Sequence, residues 1–402
     1  RCAAMYADAI EGYYQQAAVG LPGLLAAIAA QDPALPPSEC LSLSACIAEN
    51  MPPRPRRRQL LVDVSALAET DLRTGIQRVV RAILVHWLLN PPSDWQIEPV
   101  YGMADAYGYR YARRFTSRFL GVSEDWAVDE VVEAYPGDMF FALDFHCGQV
   151  VRQTGILGGW RRRGVGIQFL VYDLLPVLKP EMFPGHAEEW RRRWLESVTQ
   201  FDGAVCISHA VADELQAWCQ TFGPKRERPF SVQWFHLGAD PENSAPSTGM
   251  PDDASQVMAT LRTRPSFLSV GTIEPRKGQA QTLSAFELLW MQGVDVNLVF
   301  VGKQGWMVEG LVERLRNHAE LGKRLFWLEG ISDEYLEKAY AASTCLIAAS
   351  EGEGFGLPLI EAAQHKLPII ARDIPVFREV AGEHAFYFKN AEDPQVITQC
   401  IT

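Results

Sequence analysis

Apolar positions along the chain fall into two repeating patterns. From Gln59 onward, short runs that are apolar at almost every position read as strands buried on both faces: "QLLVDVS", "QIEPVYG", "DMFFALDF", "IQFLVYD", "GAVCIS" and "FSVQWFHLG". Between several of them stand stretches with a helical period, such as "GIQRVVRAILVHWLL" and "HAEEWRRRWLESVT". The alternation restarts at Pro265. Here the predicted strands are "SFLSVG", "NLVFVG", "RLFWLEG", "CLIAAS" and "LPIIAR", separated by the helices "QAQTLSAFELLWMQ", "EGLVERLRNHAEL", "DEYLEKAYAAS" and "LPLIEAAQH". Alternating strands and helices predict parallel sheets covered on both faces. Two such runs, parted by the polar stretch "GADPENSAPSTGMPDDAS", predict an α/β protein of two doubly wound, Rossmann-like domains facing a cleft, over residues 58–248 and 249–402.

Residues 1–57 follow a different pattern. "RCAAMYADAIEGYYQQAAVGLPGLLAAIAA" is Ala-rich and helical in period, a second short helix opens near Ser38, and "MPPRPRRRQ" reads as a linker. The Arg run suits peripheral contact with anionic lipid headgroups, a partner, or plain solvation ahead of the first strand. The opening at Arg1 and the close in "PQVITQCIT", which reads as the first turns of a helix, lead to the expectation of a piece of a longer polypeptide. In it, residues 1–57 would be the tail of, or linker from, a preceding domain, and this domain's closing helix would follow Thr402.

Composition narrows the function. With 402 residues, 48% hydrophobic and 21% charged, the chain has room for two ordinary domains. A net charge of −12 argues against nucleic acid as partner, because neutralising phosphates takes a basic face. None of the eight cysteines forms a CxxC pair, and several lie inside apolar runs, so they read as reduced, buried thiols of a cytoplasmic protein. No apolar stretch approaches the roughly 18 residues of a membrane span. No His/Cys/Asp cluster has metal-ligand spacing, and neither GxSxG nor GxxxxGK[ST] occurs.

Two loops carry the chemistry. After the strand "CLIAAS" comes "EGEGFGLPLIEA", with Glu353 in the turn and Glu361 one helical turn into the following helix, whose first turn holds Pro358. Gly354 and Gly356 let backbone approach a ligand, and a helix N-terminus suits an anion such as a diphosphate. Acids near a helix start also serve the dipole, and glycine turns after strands are ordinary. A second loop has the same layout: "SFLSVGTIEPRKGQAQTLSAF" sets Arg276 and Lys277 at the carboxyl edge of its strand. Arg forks onto phosphate oxygens and Lys acts as a point charge.

On these residues the chain from about Gln59 to its end resembles the family 4 glycosyltransferases, retaining enzymes of the GT-B fold that use nucleotide sugars. "EGEGFGLPLIE" is similar to the family's E-x7-E motif, and "GTIEPRKG" to its phosphate-binding loop. The resemblance implies that Glu353 lies by the donor sugar, that Glu361 hydrogen-bonds the nucleotide ribose, and that Arg276 and Lys277 neutralise the diphosphate without a metal or other cofactor. It further implies donor contacts from Gly354, Phe355, Gly356 and Leu357, and places Ile331 near the base. "DVSALAETDLRTGIQRVVRAIL" resembles the family's first strand, glycine loop and helix; Gly75, preceded by Thr74 where relatives have a second Gly, would approach the donor phosphate. "VYDLLPVLKPEMFP" resembles a segment that begins His-Asp in many relatives. Tyr172 stands where the His would be, followed by Asp173, and Tyr is a poor base near neutral pH unless its pKa is strongly lowered.

Asp144 and His146 in "FFALDFHCG" end a strand at the cleft edge, where they suit an acceptor hydroxyl; a rim or core histidine is the other reading. His209 and His236 fit caps or packing. The resemblance implies transfer of a hexose, GDP-mannose being the favoured donor, to a glycan or lipid-linked acceptor in bacterial surface-polysaccharide assembly. Further glycosyltransferase domains would be fused to this one, in the cytoplasm or at the inner face of the membrane. A catalytically silent GT-B domain and a nucleotide-sugar 2-epimerase are the alternatives.

Overall fold

The eleven apolar runs become strands, joined by two short edge strands to make thirteen among the described residues. The first seven are β1 (Arg58–Asp63), β2 (Trp95–Gly102), β3 (Tyr109–Tyr111), β4 (Met139–Ala142), β5 (Gly166–Val171), β6 (Gly203–Cys206) and β7 (Ser231–Trp234). They form one sheet in the order β3-β2-β1-β4-β5-β6-β7, parallel throughout except for β3, which runs antiparallel to β2. A second, wholly parallel sheet has the order β10-β9-β8-β11-β12-β13, from β8 (Ser266–Val270), β9 (Asn297–Val301), β10 (Leu325–Leu328), β11 (Cys345–Ala348), β12 (Ile369–Arg372) and β13 (Phe386–Phe388). This is a computed structural model, and it describes residues 36, 39, 41–44, 57–71, 75–103, 107–125, 127–226, 229–238 and 247–402. The expected helical extension over residues 1–57 lies almost wholly outside them.

Residues Arg57–Thr402 form one compact unit containing both sheets. Each sheet is sandwiched between two apolar clusters, as buried parallel strands require. Cluster membership also ties the sheets together: Phe355, from the loop after β11, is 4% exposed and packs with Leu60, Val62, Tyr172 and Ile207 of the first sheet's core.

Strand order decides where a ligand can sit. In each sheet the order reverses once, between β1 and β4 and between β8 and β11, and the loops leaving these strands diverge to opposite faces and open a crevice. The loops after β8 and β11 carry the Arg-Lys pair and the Glu-Gly turn. Buried Arg372 on β12 fixes the end of β11, its Nε donating to the Ala349 carbonyl at 2.9 Å and its Nη1 to the Ala391 carbonyl at 2.9 Å.

Candidate active site

The loop after β8 makes one 3-10 turn, Pro275–Lys277, before Gly278 starts the helix Gln279–Met291. The loop after β11 runs into Gly356, which starts the helix Leu357–Gln364 without any side-chain cap. Both loops converge on Glu353. Lys277 Nζ donates to its Oε1 at 2.5 Å and Arg276 Nη1 to its Oε2 at 3.1 Å, while Ser350 Oγ donates to Oε1 at 2.7 Å. Arg276 Nη1 also meets the Gly352 carbonyl at 3.2 Å, and its Nε lies 2.9 Å from Glu274 Oε2. Burial pushes the Glu353 carboxyl up, but Lys277 and Arg276 outweigh burial and hold it at about 2. Burial alone would lower Arg276, yet Glu353 and Glu274 beside it raise it well above its ordinary value. Two cations and one fully ionised carboxylate are thus held together in a partly dry cleft.

Gly354 explains the glycine turn. A Cβ there would stand 2.0 Å from the Tyr172 carbonyl oxygen, so only glycine allows the turn to lie against the end of β5. Ser208 Oγ donates to the Gly354 carbonyl at 2.7 Å from the same side. Gly356 has φ +96°, and a Cβ there would stand 2.9 Å from the Phe377 ring.

Glu361 is held from both sides. Tyr340 donates its hydroxyl to Oε2 at 2.7 Å, and Arg78, from the helix Gly75–Leu89 of the first domain, places Nη1 3.1 Å from Oε1. Other contacts cross the cleft. Lys179 lies 4.0 Å from Glu351, and Trp306 Nε1 donates to the Met182 carbonyl at 3.0 Å. Glu379 accepts the first-turn amides of His209, at 2.6 Å, and Ala210, at 2.8 Å, and pairs with His236 at 2.6 Å. Glu379 thus caps this helix from the other domain with His236 beside it, while His209 contributes its amide and its ring Nδ1 lies 3.2 Å from Asp213.

Several expected site residues have packing roles in the structure. Tyr172 is no base. Its side chain is 3% exposed and turned into the core, its hydroxyl donates to the Leu143 carbonyl at 2.9 Å, and burial with Asp144 nearby pushes its pKa well above the ordinary value. What Tyr172 offers the cleft is backbone. Phe355 is likewise a packing residue, its ring 5.7 Å from that of His236, and Leu357 packs partly buried on the same cluster. Ile331 packs at the edge of the second domain's core. Asp173 stays near the site: its Oδ1 accepts the Leu175 amide at 3.2 Å and lies 3.5 Å from Arg191 Nη2, and its charge acts on Arg276. Gly75 begins its helix with open space around it, while Thr74 lies outside the described residues.

Asp144 is a clamp. Oδ2 accepts the Leu67 amide at 2.5 Å and Oδ1 the Phe145 amide at 2.7 Å, joining the ends of β1 and β4. His146 caps the helix Cys147–Arg162, Nδ1 accepting from the Gln149 amide at 3.2 Å, and its Nε2 lies 3.3 Å from Glu69. Sequence reasoning did not single out Arg78, Glu379 or Glu214. Burial and the neighbouring Asp173 raise the Glu214 carboxyl to about 7, and its Oε2 is buried without a hydrogen-bond partner. Nothing in the spacing of these residues marks them, since each acts through an element distant in sequence. Among the described residues five cysteines are free, and no helix is long and apolar enough to cross a membrane.

Two facing doubly wound domains with motif carboxylates and cations at one switch point define the GT-B fold. The fold is shared with the Anabaena protein Alr3699/HepE, solved with UDP-glucose (TM-score 0.56, 16% identity, 85% of this chain and 88% of that one), and with an E. coli trehalose-6-phosphate structure bound with UDP-2-fluoro glucose (TM-score 0.57, 13% identity, 86% and 91%). Residues 253–401 match the family "Glycosyl transferases group 1". It is 44% identical over 365 residues to a serotype-specific mannosyltransferase, WbdA, of Escherichia coli, covering 90% of this chain and 43% of the relative. A shorter match, 33% over 120 residues, is to O-antigen chain mannosyltransferase B of Escherichia coli, covering 29% of this chain and 30% of that protein. The chain spans less than half the length of the WbdA relatives it matches.

Proposed function

We propose that this chain is a retaining mannosyltransferase module that moves the sugar of a nucleoside-diphosphate mannose, GDP-mannose first among donors, onto a growing glycan or lipid-linked acceptor. The observation that carries the reading is the grip of Arg276 and Lys277 on Glu353 at the β8/β11 switch point. A donor diphosphate takes over those cations next to the uncapped start of the helix Leu357–Gln364, and Glu361 receives the ribose. The bond between the anomeric carbon and the diphosphate oxygen breaks, the acceptor hydroxyl oxygen bonds to that carbon, and its proton leaves with the diphosphate. Negative charge growing on the leaving oxygen meets Arg276, Lys277 and the helix N-terminus, already in place. Glu353, once released from the cations, faces the sugar as it becomes cationic. Two side-chain cations occupy the place a divalent ion has in other transferases, so transfer proceeds without metal.

The likeness to mannosyltransferases more than twice the chain's length supports a place beside further transferase modules. It also supports work at the cytoplasmic face of the membrane. Incubation with a panel of nucleotide sugars tests the activity. Slow donor hydrolysis that persists in excess EDTA and is lost in Arg276→Ala is the expected result. Binding without turnover would point to a silent domain, a changed stereocentre to an epimerase, and a strict Mn²⁺ requirement would remove the cation assignment.

A further inference from the structure

Glu361 is oriented by its own domain and occupied by the other one. Tyr340 is buried and stacked flat on His365, with ring centroids 5.1 Å apart at 5°, so the hydroxyl that holds Glu361 Oε2 has little freedom. Oε1 is left to the facing domain, where Arg78 takes it at 3.1 Å. Arg78 lies three residues past Gly75 on the helix Gly75–Leu89, and it reaches across the cleft with its side chain only 27% exposed. If Glu361 receives the ribose, as proposed above, ribose hydroxyls and Arg78 compete for the same oxygen.

The displaced guanidinium has a second anion within reach. Glu361 lies four residues past Leu357, so the helix start that receives the diphosphate is about 6 Å away along the helix axis, within the swing of an arginine side chain. We propose that Arg78 is a donor-binding residue of the first domain that passes from Glu361 to the donor diphosphate when the nucleotide enters. It then stands as a third cation opposite Arg276 and Lys277. The exchange keeps the guanidinium paired in both states, so it avoids the penalty of leaving a buried charge alone. It also couples ribose recognition to domain closure, because the residue that bridges the two domains changes partner, from carboxylate to diphosphate, when the ribose arrives. A planar fork suits both carboxylate and phosphate, whereas an ammonium does not reproduce it.

Calorimetric titration of the full chain and its variants with guanosine and uridine diphosphates, and with the free nucleosides, separates the possibilities. In Arg78→Ala the favoured diphosphate should bind at least about tenfold more weakly, as expected for losing a hydrogen bond to a charged group, while the free nucleoside binds unchanged or more tightly. Arg78→Lys should recover little. Unchanged diphosphate affinity would reduce Arg78 to a domain bridge, and equal losses for diphosphate and nucleoside would assign it a purely structural role; either overturns the inference. Arg276→Ala distinguishes this failure from failure of the functional reading. Loss of diphosphate binding there, with Arg78→Ala unaffected, leaves that reading intact, whereas a wild-type chain that binds neither diphosphate overturns both. Should Arg78→Ala unfold, Arg78→Gln retains a donor for Glu361 and gives the same comparison.

Discussion

Replacing Glu353 by Gln removes the one charge that Arg276 and Lys277 both hold. The carboxyl sits at about 2 against an ordinary 4.5, and at about 1.4 kcal/mol per pH unit the difference corresponds to roughly 3 kcal/mol of folding stability. The sign follows from the direction. A carboxyl whose folded pKa is depressed contributes fully above its unfolded value of about 4.5, and the contribution fades as pH falls towards 2. Because the side chain is only 12% exposed, solvent screening removes little of it. Urea unfolding of Glu353→Gln at pH 7 should therefore show a loss of up to about 3 kcal/mol, narrowing below pH 4.5.

Binding should move the other way. With Glu353 neutral, Arg276 keeps only Glu274 as a close anion and Lys277 loses the carboxylate it pairs with, so both meet a diphosphate with less competition. Nucleoside diphosphate affinity should equal or exceed that of the wild type, while turnover falls by roughly 10², the cost typical of losing one electrostatic stabiliser. A stability loss that stays constant from pH 7 to pH 3 would refute the charge argument, since it would reflect lost shape or hydrogen bonding. Weaker diphosphate binding would refute the placement of the cations.

Three further substitutions probe the surroundings. Tyr172→Phe leaves the buried Leu143 carbonyl without its donor and should cost about 1–3 kcal/mol in thermal or urea unfolding while turnover stays within severalfold of wild type; a collapse of turnover with the fold intact would restore a chemical role to the hydroxyl. Gly354→Ala sets a Cβ 2.0 Å from the Tyr172 carbonyl, and shifting the loop by about 1 Å should cost on the order of 10² in kcat with the circular dichroism unchanged; full activity would show that the turn has slack. Glu214 has the opposite linkage to Glu353. Its raised pKa of about 7 means that its folding cost is absent below about pH 4.5 and grows to roughly 3 kcal/mol as pH rises through 7, so Glu214→Gln should stabilise the chain at pH 8 and change nothing at pH 4.5. A gain independent of pH would contradict it.

Strands buried on both faces were legible because apolar runs have no other use in a polar loop; eleven strands were placed correctly as β1, β2 and β4–β12, but β7, read as buried, is a largely exposed edge strand. The other two, β3 and β13, are three-residue edge strands whose pairing depends on a neighbour rather than on their own pattern. The helix Cys147–Arg162 escaped a periodic reading because it buries Gln149 and Gln153 as well as Val150 and Leu157. Those amides answer backbone groups of the β2–β3 connection, Gln153 accepting the Gly108 amide at 2.7 Å. At the site, the two carboxylates and the Arg-Lys pair were readable because they lie in single loops with fixed spacing. Orientation was not. Tyr172 has a neighbour's position in sequence but a core residue's rotamer, and Phe355 crosses into the other domain's cluster, a contact no local window contains.

Placement of the charges explains how an acidic chain prepares for an anionic substrate. A cleft holding bare Arg78, Arg276 and Lys277 would be costly to desolvate and would repel itself. Each cation is instead paired with a carboxylate of the Glu-x7-Glu segment: Arg276 and Lys277 with Glu353, Arg78 with Glu361. On the proposed reading these carboxylates have other partners once donor binds, the sugar for Glu353 and the ribose for Glu361. Donor binding is then an exchange of partners in which every charge stays satisfied, and the same two acids that hold the cations become the groups that recognise the donor. It follows that each cation should couple to its carboxylate. A double-mutant cycle between Arg78 and Glu361 should give a large interaction energy for folding without nucleotide and a smaller one with diphosphate bound, because by then the pair has parted.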